Sequence, residues 1–188
     1  MGLKRLRSPL RGAFRALRIW RSVLTLIAYL WWDAREWTYS GGCTPERRAR
    51  RQQTRARWLT AELLSLGSAF IKLGQLLSAR PDVLPAGWVA ELADLQDKVP
   101  PFSFDRAQSV LEQELGQRCA EIIDLDQMPL GAASLAQVHR ASLRSGRQVV
   151  LKIQRPGLET LFRLDLEVMQ QVAAVMQRHP SWGRGRDW

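Results

Sequence analysis

Cysteine is nearly absent from this chain: Cys43 and Cys119 are the only two among 188 residues. They lie far apart, show no metal-ligand spacing and are too few for a disulfide framework, so a reducing compartment is the simpler expectation. Long apolar runs are lacking too. The strongest, residues 22–32, falls short of the roughly 20 apolar residues that span a bilayer, which excludes a transmembrane helix at this end. Basic residues beside that run, with no small-residue cleavage site after it, argue against a removable signal peptide. Acidic residues are scarce in one region: residues 1–57 carry 14 Lys or Arg against Asp33, Glu36 and Glu46, whereas the remainder holds 14 basic and 15 acidic residues. A segment of this kind seeks a polyanion, either an anionic lipid surface or nucleic acid. No internal repeat or long low-complexity tract is present.

The length suits one domain, or one domain with an N-terminal extension. Ser8 and Pro9 read as a helix N-cap and first position, after which Leu10, Phe14, Leu17, Leu24 and Ala28 recur at helical spacing. An amphipathic helix to about Trp32 follows. Lys4, Arg7, Arg11, Arg15, Arg18 and Ser22 form a second stripe, and Trp20, Trp31, Trp32 and Trp37 sit near the apolar face or its end, where membrane-interface residues belong. Such a helix either lies on an anionic membrane or packs on the protein's own core with a solvated basic face; membrane contact is the favoured reading. The basic segment lacks any nucleic-acid-binding motif, so nucleic acid is excluded as partner.

Gly41-Gly42 marks a boundary near residue 40, and Pro45 to Arg57 is a basic helix start. Residues 58–78 read as one helix ended by Pro81 and Pro85, residues 88–96 as a short one, and residues 104–115 as another that Ser103 could cap and Gly116 closes. The texture then changes. Apolar runs at 130–141, 143 and 149–154 flank the turn Arg144-Ser145-Gly146-Arg147, the pattern of a β-hairpin. Pro156-Gly157 ends the second strand, and residues 158–178 have the period of a final helix.

The hairpin carries a recognisable order of parts. A loop of small residues, Gly131, Ala132, Ala133 and Ser134, precedes a strand lysine, Lys152. Kinase N-lobes use a small-residue loop to bring backbone N–H groups to the phosphates and a lysine on the third strand to face the α- and β-phosphates. Ser134 could bond a phosphate oxygen or cap the turn. Gln137 and His139 alternate along the next strand and face one side together, His139 as a packed strand residue rather than a catalyst; His179, beside Pro180, gives no signal.

Phe70-Ile71-Lys72-Leu73-Gly74-Gln75, followed by Leu77-Ser78-Ala79-Arg80-Pro81-Asp82, closely resembles the Lys-x-Gly-Gln signature of the UbiB (AarF) family of atypical kinase-like proteins. Further blocks look like the family in order: Leu95-Gln96-Asp97 with Val99-Pro100-Pro101-Phe102, residues 129–141, and Lys152-Ile153-Gln154-Arg155-Pro156-Gly157. The resemblance implies an α+β fold, an N-terminal helical extension followed by an incomplete protein-kinase-like N-lobe of a small β-hairpin plus helix. It divides the chain into a basic membrane-associating segment (1–40), a helical extension with the Lys-x-Gly-Gln motif (41–118) and a partial N-lobe (119–188). It also implies ATP or ADP with Mg²⁺, bound through Gly131, Ala132, Ala133, Ser134 and Lys152, and a role in prenylquinone metabolism peripherally on the cytoplasmic side of a membrane, with proteins of that pathway as partners. By the same resemblance Lys72 and Gln75 point into the nucleotide cleft, Lys72 seeking a carboxylate, while Gly74 permits close helix packing.

The catalytic and metal-binding motifs of a kinase are missing. After Lys152 the carboxylates are Glu159, Asp165, Glu167 and Asp187; Asp165-Leu166 resembles the family's Asp-Leu pair in the helix after the lysine strand. The ending, residues 182–188, matches nothing in the family. The expectation is therefore a truncated kinase-like chain without turnover, or alternatively a non-catalytic membrane- or lipid-binding module.

Overall fold

The structure, a computed structural model, describes residues 7–96 and 99–178. Lys4, Asp97, His179, Asp187 and residues 182–188 lie outside the described residues, as does the side chain of Arg11. Helix α1 spans Arg7–Asp33 and α2 spans Pro45–Leu66, where Thr44 caps the first turn by accepting from the Arg47 N–H. The single helix expected over 58–78 is broken. Gly67 adopts φ 91°, a conformation other residues avoid, so α2 stops there and α3 (Ser68–Ser78) starts in a new direction. Helix α4 (Ala86–Ala93) and α5 (Phe104–Leu115) follow, the latter closed by Gly116 at φ 53°. Ser103 precedes α5, but its side chain makes no capping hydrogen bond.

A 3₁₀ turn at Gly116–Glu121 leads to an antiparallel sheet of β1 (Ile122–Leu125), β2 (Gly131–Ala132), β3 (Ala136–Leu143) and β4 (Gln148–Gln154). The expected hairpin is β3 and β4, joined at Gly146 with φ 82°. Strands β1 and β2 both pair with β3, on different stretches of it. Helix α6 (Leu158–Arg178) follows β4. The fold is thus α+β, a helical extension joined to a small sheet-and-helix unit of the kinase N-lobe kind.

Two apolar cores organise these elements. The first is built from Ile19, Leu63, Phe70, Leu92, Leu95 and Val168, so α1, α2, α3, α4 and α6 share it. The second contains Phe102, Ala107, Leu111 and Ile153, which press α5 onto one face of the sheet. Helix α1 therefore belongs to the same core as the extension, and α5 to the sheet.

The orientation of α1 corrects the expectation for its basic stripe. Arg15 and Ser22 face the protein, and Arg18, itself exposed, reaches back to it: Arg15 donates to both carboxylate oxygens of buried Asp165 and to the Leu66 carbonyl, Arg18 to the Ser65 carbonyl at 3.0 Å, and Ser22 to Glu62 at 2.6 Å. The physical reason is the end of α2, whose last carbonyls have no helical partner and sit at the negative pole of the helix dipole. Arginines from α1 satisfy them. The apolar stripe turns outward instead, with Phe14 71% and Leu17 67% exposed, and Leu24, Trp31, Trp32 and Trp37 also exposed. At the far end of α1, Asp33 is held by Arg51 and Arg55, which stack over Tyr39 and Tyr29. Part of the N-terminal basic surplus is thus internal cement.

Candidate functional site

The register of the sheet fixes which side chains meet. Val138 on β3 pairs with Gly131 on β2 to one side and with Lys152 on β4 to the other. Paired residues project to the same face, so Gly131, Val138 and Lys152 form one row across the sheet, and neighbouring strands about 4.8 Å apart put its ends about 10 Å from each other. Val150, Lys152 and Gln154 are exposed, whereas Leu151 and Ile153 point under α5. The Lys152 face is open and its opposite is packed.

The small-residue loop closes on itself through the Ala133 N–H, which donates to the Ala136 carbonyl at 2.8 Å. No residue of 131–134 has a positive φ, so alanines fit the loop without strain. A Cβ built on Gly131 would meet nothing within 4 Å. Glycine there is demanded neither by φ nor by neighbours, and the open space in front of it is where a ligand could approach the backbone. Ser134 is buried and its hydroxyl makes no hydrogen bond among the described residues, to the turn or to anything else.

Behind the row lies a polar relay whose wiring the sequence did not reveal. The Phe102 N–H donates to Gln137 Oε1 at 2.9 Å, Gln137 Nε2 lies 2.8 Å from His139 Nε2, and His139 Nδ1 lies 2.7 Å from the Asp126 carbonyl. A carbonyl only accepts, so His139 donates from Nδ1 and accepts at Nε2 from the Gln137 amide; this neutral tautomer satisfies every group. Both side chains are fully buried. The relay holds the segment entering the small-residue loop and the segment leading to α5 against β3. Its only signal in the sequence is a pair of polar residues two apart in an otherwise apolar strand.

No carboxylate meets Lys152 among the described residues. Glu159 pairs with Arg163 one turn along α6, and Asp165 is taken by Arg15. Glu167 is exposed. Nor do three His, Cys, Asp or Glu side chains converge among the described residues, so the donors needed to hold Mg²⁺ are not assembled by them. The row of Gly131 and Lys152 fits the phosphates of a nucleotide; the acids present do not fit the metal.

The Lys-x-Gly-Gln residues on α3 separate in role. A Cβ on Gly74 would collide with Leu95 and Leu63, so glycine lets α3 sit directly on α2 and α4. Gln75 is half-buried and donates to the Leu95 carbonyl at 2.9 Å, satisfying the chain just after α4 rather than reaching into a cleft with Lys72. Lys72 is exposed and no ion pair holds it among the described residues.

The model of the ABC1 atypical kinase-like domain matches residues 94–185. An uncharacterised protein of Synechocystis is 49% identical over 93% of this chain and 30% of its own length. The chain belongs to the UbiB (ABC1) family of atypical kinase-like proteins. "Protein ACTIVITY OF BC1 COMPLEX KINASE 8, chloroplastic" of Arabidopsis thaliana is 45% identical over 93% of the chain and 23% of its own length. "Probable protein kinase UbiB" of Azotobacter vinelandii is 44% identical over 73% and 26%. This UbiB-family chain thus spans less than a third of the length of these curated relatives. A solved structure of Rv3197 with erythromycin, from Mycobacterium tuberculosis, covers 76% of the chain and 36% of its own at 29% identity, with a TM-score of 0.38, too low for any structural correspondence to be read from it.

Proposed function

We propose that this chain is the nucleotide-side, N-terminal portion of a UbiB-type atypical kinase or ATPase that serves prenylquinone metabolism at a membrane. The observation that carries the reading is the row Gly131–Val138–Lys152 on the open face of the sheet, with a small-residue loop at one end and a free cation at the other. ATP or ADP is the ligand: the loop's N–H groups approach the phosphates, Ser134 stands beside them, and Lys152 supplies the positive charge. The link to prenylquinones, and to proteins of that pathway as partners, rests on the UbiB name of several relatives.

The thermal shift of the chain with ADP and with ATP, beside that of Lys152→Ala, is the test. The shift disappears in the variant, because the charge facing the phosphates is gone, while loss of an exposed lysine leaves the apo fold little changed. A shift that persists unchanged would mean the nucleotide binds elsewhere.

The membrane is approached by α1, peripherally and from the cytoplasmic side. No helix among the described residues is long and apolar enough to cross a bilayer. The exposed stripe of Phe14, Leu17 and Leu24, ending in Trp31, Trp32 and Trp37, supports an interfacial attachment, with Arg21 and Arg35 beside it to favour anionic lipid. The same stripe favours a second reading, in which this segment alone acts as a non-catalytic membrane-binding module.

A further inference from the structure

A cavity of about 220 Å³ opens where the helical extension meets the sheet unit. Among the described residues Asp165 is the only carboxylate on its lining, and Arg15 already matches that charge. Two further cations line it, Arg106 at the start of α5 and Arg155 just after β4, together with the first residues of α3. Its described lining is therefore net positive, with no anion to spare.

Each of these groups has unspent donors. Arg106 is exposed and no hydrogen bond or ion pair holds it among the described residues. Arg155 gives one N–H to the Pro100 carbonyl at 3.1 Å and lies over the Phe102 ring, yet its Nε is buried without a partner. Buried donors are almost always satisfied in folded proteins, so such an orphan marks a missing acceptor. Burial also pushes the Arg155 pKa down, and no carboxylate offsets it. Helix α3 begins at Gly67 with no side-chain cap, which leaves the N–H groups of its first turn and the positive end of its dipole at the cavity.

We propose that this cavity binds a phosphate-class oxyanion, held by Arg106, Arg155 and the first turn of α3, and distinct from the nucleotide face at Lys152. Guanidinium forks match tetrahedral oxyanions with paired hydrogen bonds, and a helix N-terminus adds further N–H donors. The space suits this ligand: with water occupying about 30 Å³ in the liquid, the cavity holds several waters or one phosphate group. The anion comes from a small phosphorylated molecule or from a phospholipid headgroup. It joins the extension to the strand end three residues past Lys152, so occupancy stiffens the junction on which the nucleotide face stands.

The experiment titrates the chain with inorganic phosphate and with pyrophosphate at constant ionic strength, by calorimetry. In parallel, it measures sedimentation with phosphatidylcholine vesicles with and without phosphatidic acid. Saturable binding of a soluble probe, weakened about tenfold or more in Arg106→Gln and in Arg155→Gln and unchanged in Lys152→Ala, is expected for a small phosphorylated ligand. Arg106-dependent sedimentation confined to phosphatidic acid vesicles, without soluble-probe binding, assigns the headgroup instead. Arg106 has no partner that folding needs, so that variant decides even if Arg155→Gln does not fold. Neither probe binding, or Arg106→Gln binding like the parent, overturns the site; loss in Lys152→Ala transfers the anion to the nucleotide face.

Discussion

Arg15 on α1 grips Asp165 on α6 through two hydrogen bonds, Nε to Oδ1 at 2.7 Å and Nη2 to Oδ2 at 2.8 Å, across 150 residues of sequence. Asp165 is 2% exposed and Arg15 15%. Removing one partner strands the other in a place water does not reach, so Asp165→Ala should cost about 3–5 kcal/mol in urea denaturation. The double variant Arg15→Met, Asp165→Leu should recover most of that, because a well-packed apolar pair replaces a buried ion pair at little net cost. A loss below about 1 kcal/mol for the single variant, the size seen for surface pairs, would show that the two helices do not rely on this contact.

Gly74→Ala tests the packing at the Lys-x-Gly-Gln motif separately from any role in a cleft. The added methyl meets Leu95 and Leu63, and overpacking of this kind costs about 1–3 kcal/mol. Equilibrium denaturation reads it directly. A stability equal to the parent's would mean that α3 and α4 part more easily than their contacts suggest.

Much of this architecture is legible in the sequence, and the misses share a cause. The β3–β4 hairpin, α5 and α6 follow from period and turn chemistry, which are local. The break at Gly67 is not, since an isolated glycine inside a helical pattern is often tolerated, and here its φ of 91° ends α2. The inward turn of Arg15, and the reach of Arg18 back to α2, are also illegible. A helical wheel separates the two faces of α1 but cannot say which one meets the carbonyls of Ser65 and Leu66, a matter of tertiary contact between residues about 50 apart. Asp165 illustrates the same limit for the site: it looks like a free carboxylate after Lys152, and only the fold reveals that Arg15 occupies it. The order of small-residue loop and strand lysine, by contrast, needs nothing but the hairpin register.

The outward face of α1 changes what a membrane experiment should alter. Substituting Arg15 would damage the fold, whereas Phe14→Ser with Leu17→Ser removes exposed apolar surface and leaves the core intact. The double variant should sediment several-fold less with anionic vesicles while its urea midpoint stays that of the parent. Binding should also weaken as salt rises, since exposed arginines are screened within about 10 Å at 0.1 M ionic strength. Undiminished sedimentation of the double variant would turn the search for a lipid contact to the arginine-rich groove of Arg47, Arg50 and Arg51 on α2.

The last expectation concerns turnover: the 188-residue chain should release no phosphate from ATP above a protein-free blank, even with Mg²⁺ and lipid present. Phosphoryl transfer is catalysed mainly by positioning and by charge stabilisation, to which the metal ions contribute heavily. Lys152 alone cannot replace them. No carboxylate among the described residues pairs with it, and Glu159 and Asp165 are held by Arg163 and Arg15. The sheet face in front of Gly131 is open, so a nucleotide held there stays exposed to water and its γ-phosphate is not fixed against a nucleophile. Binding and turnover therefore separate, and a nucleotide-dependent thermal shift should coexist with zero activity. The decisive comparison is a contaminant-controlled preparation assayed beside Lys152→Ala. Phosphate release in the first that vanishes in the second would refute the claim that these residues need more than themselves to react, and it would single out Glu167, the α6 carboxylate that no arginine holds among the described residues, as the next residue to substitute.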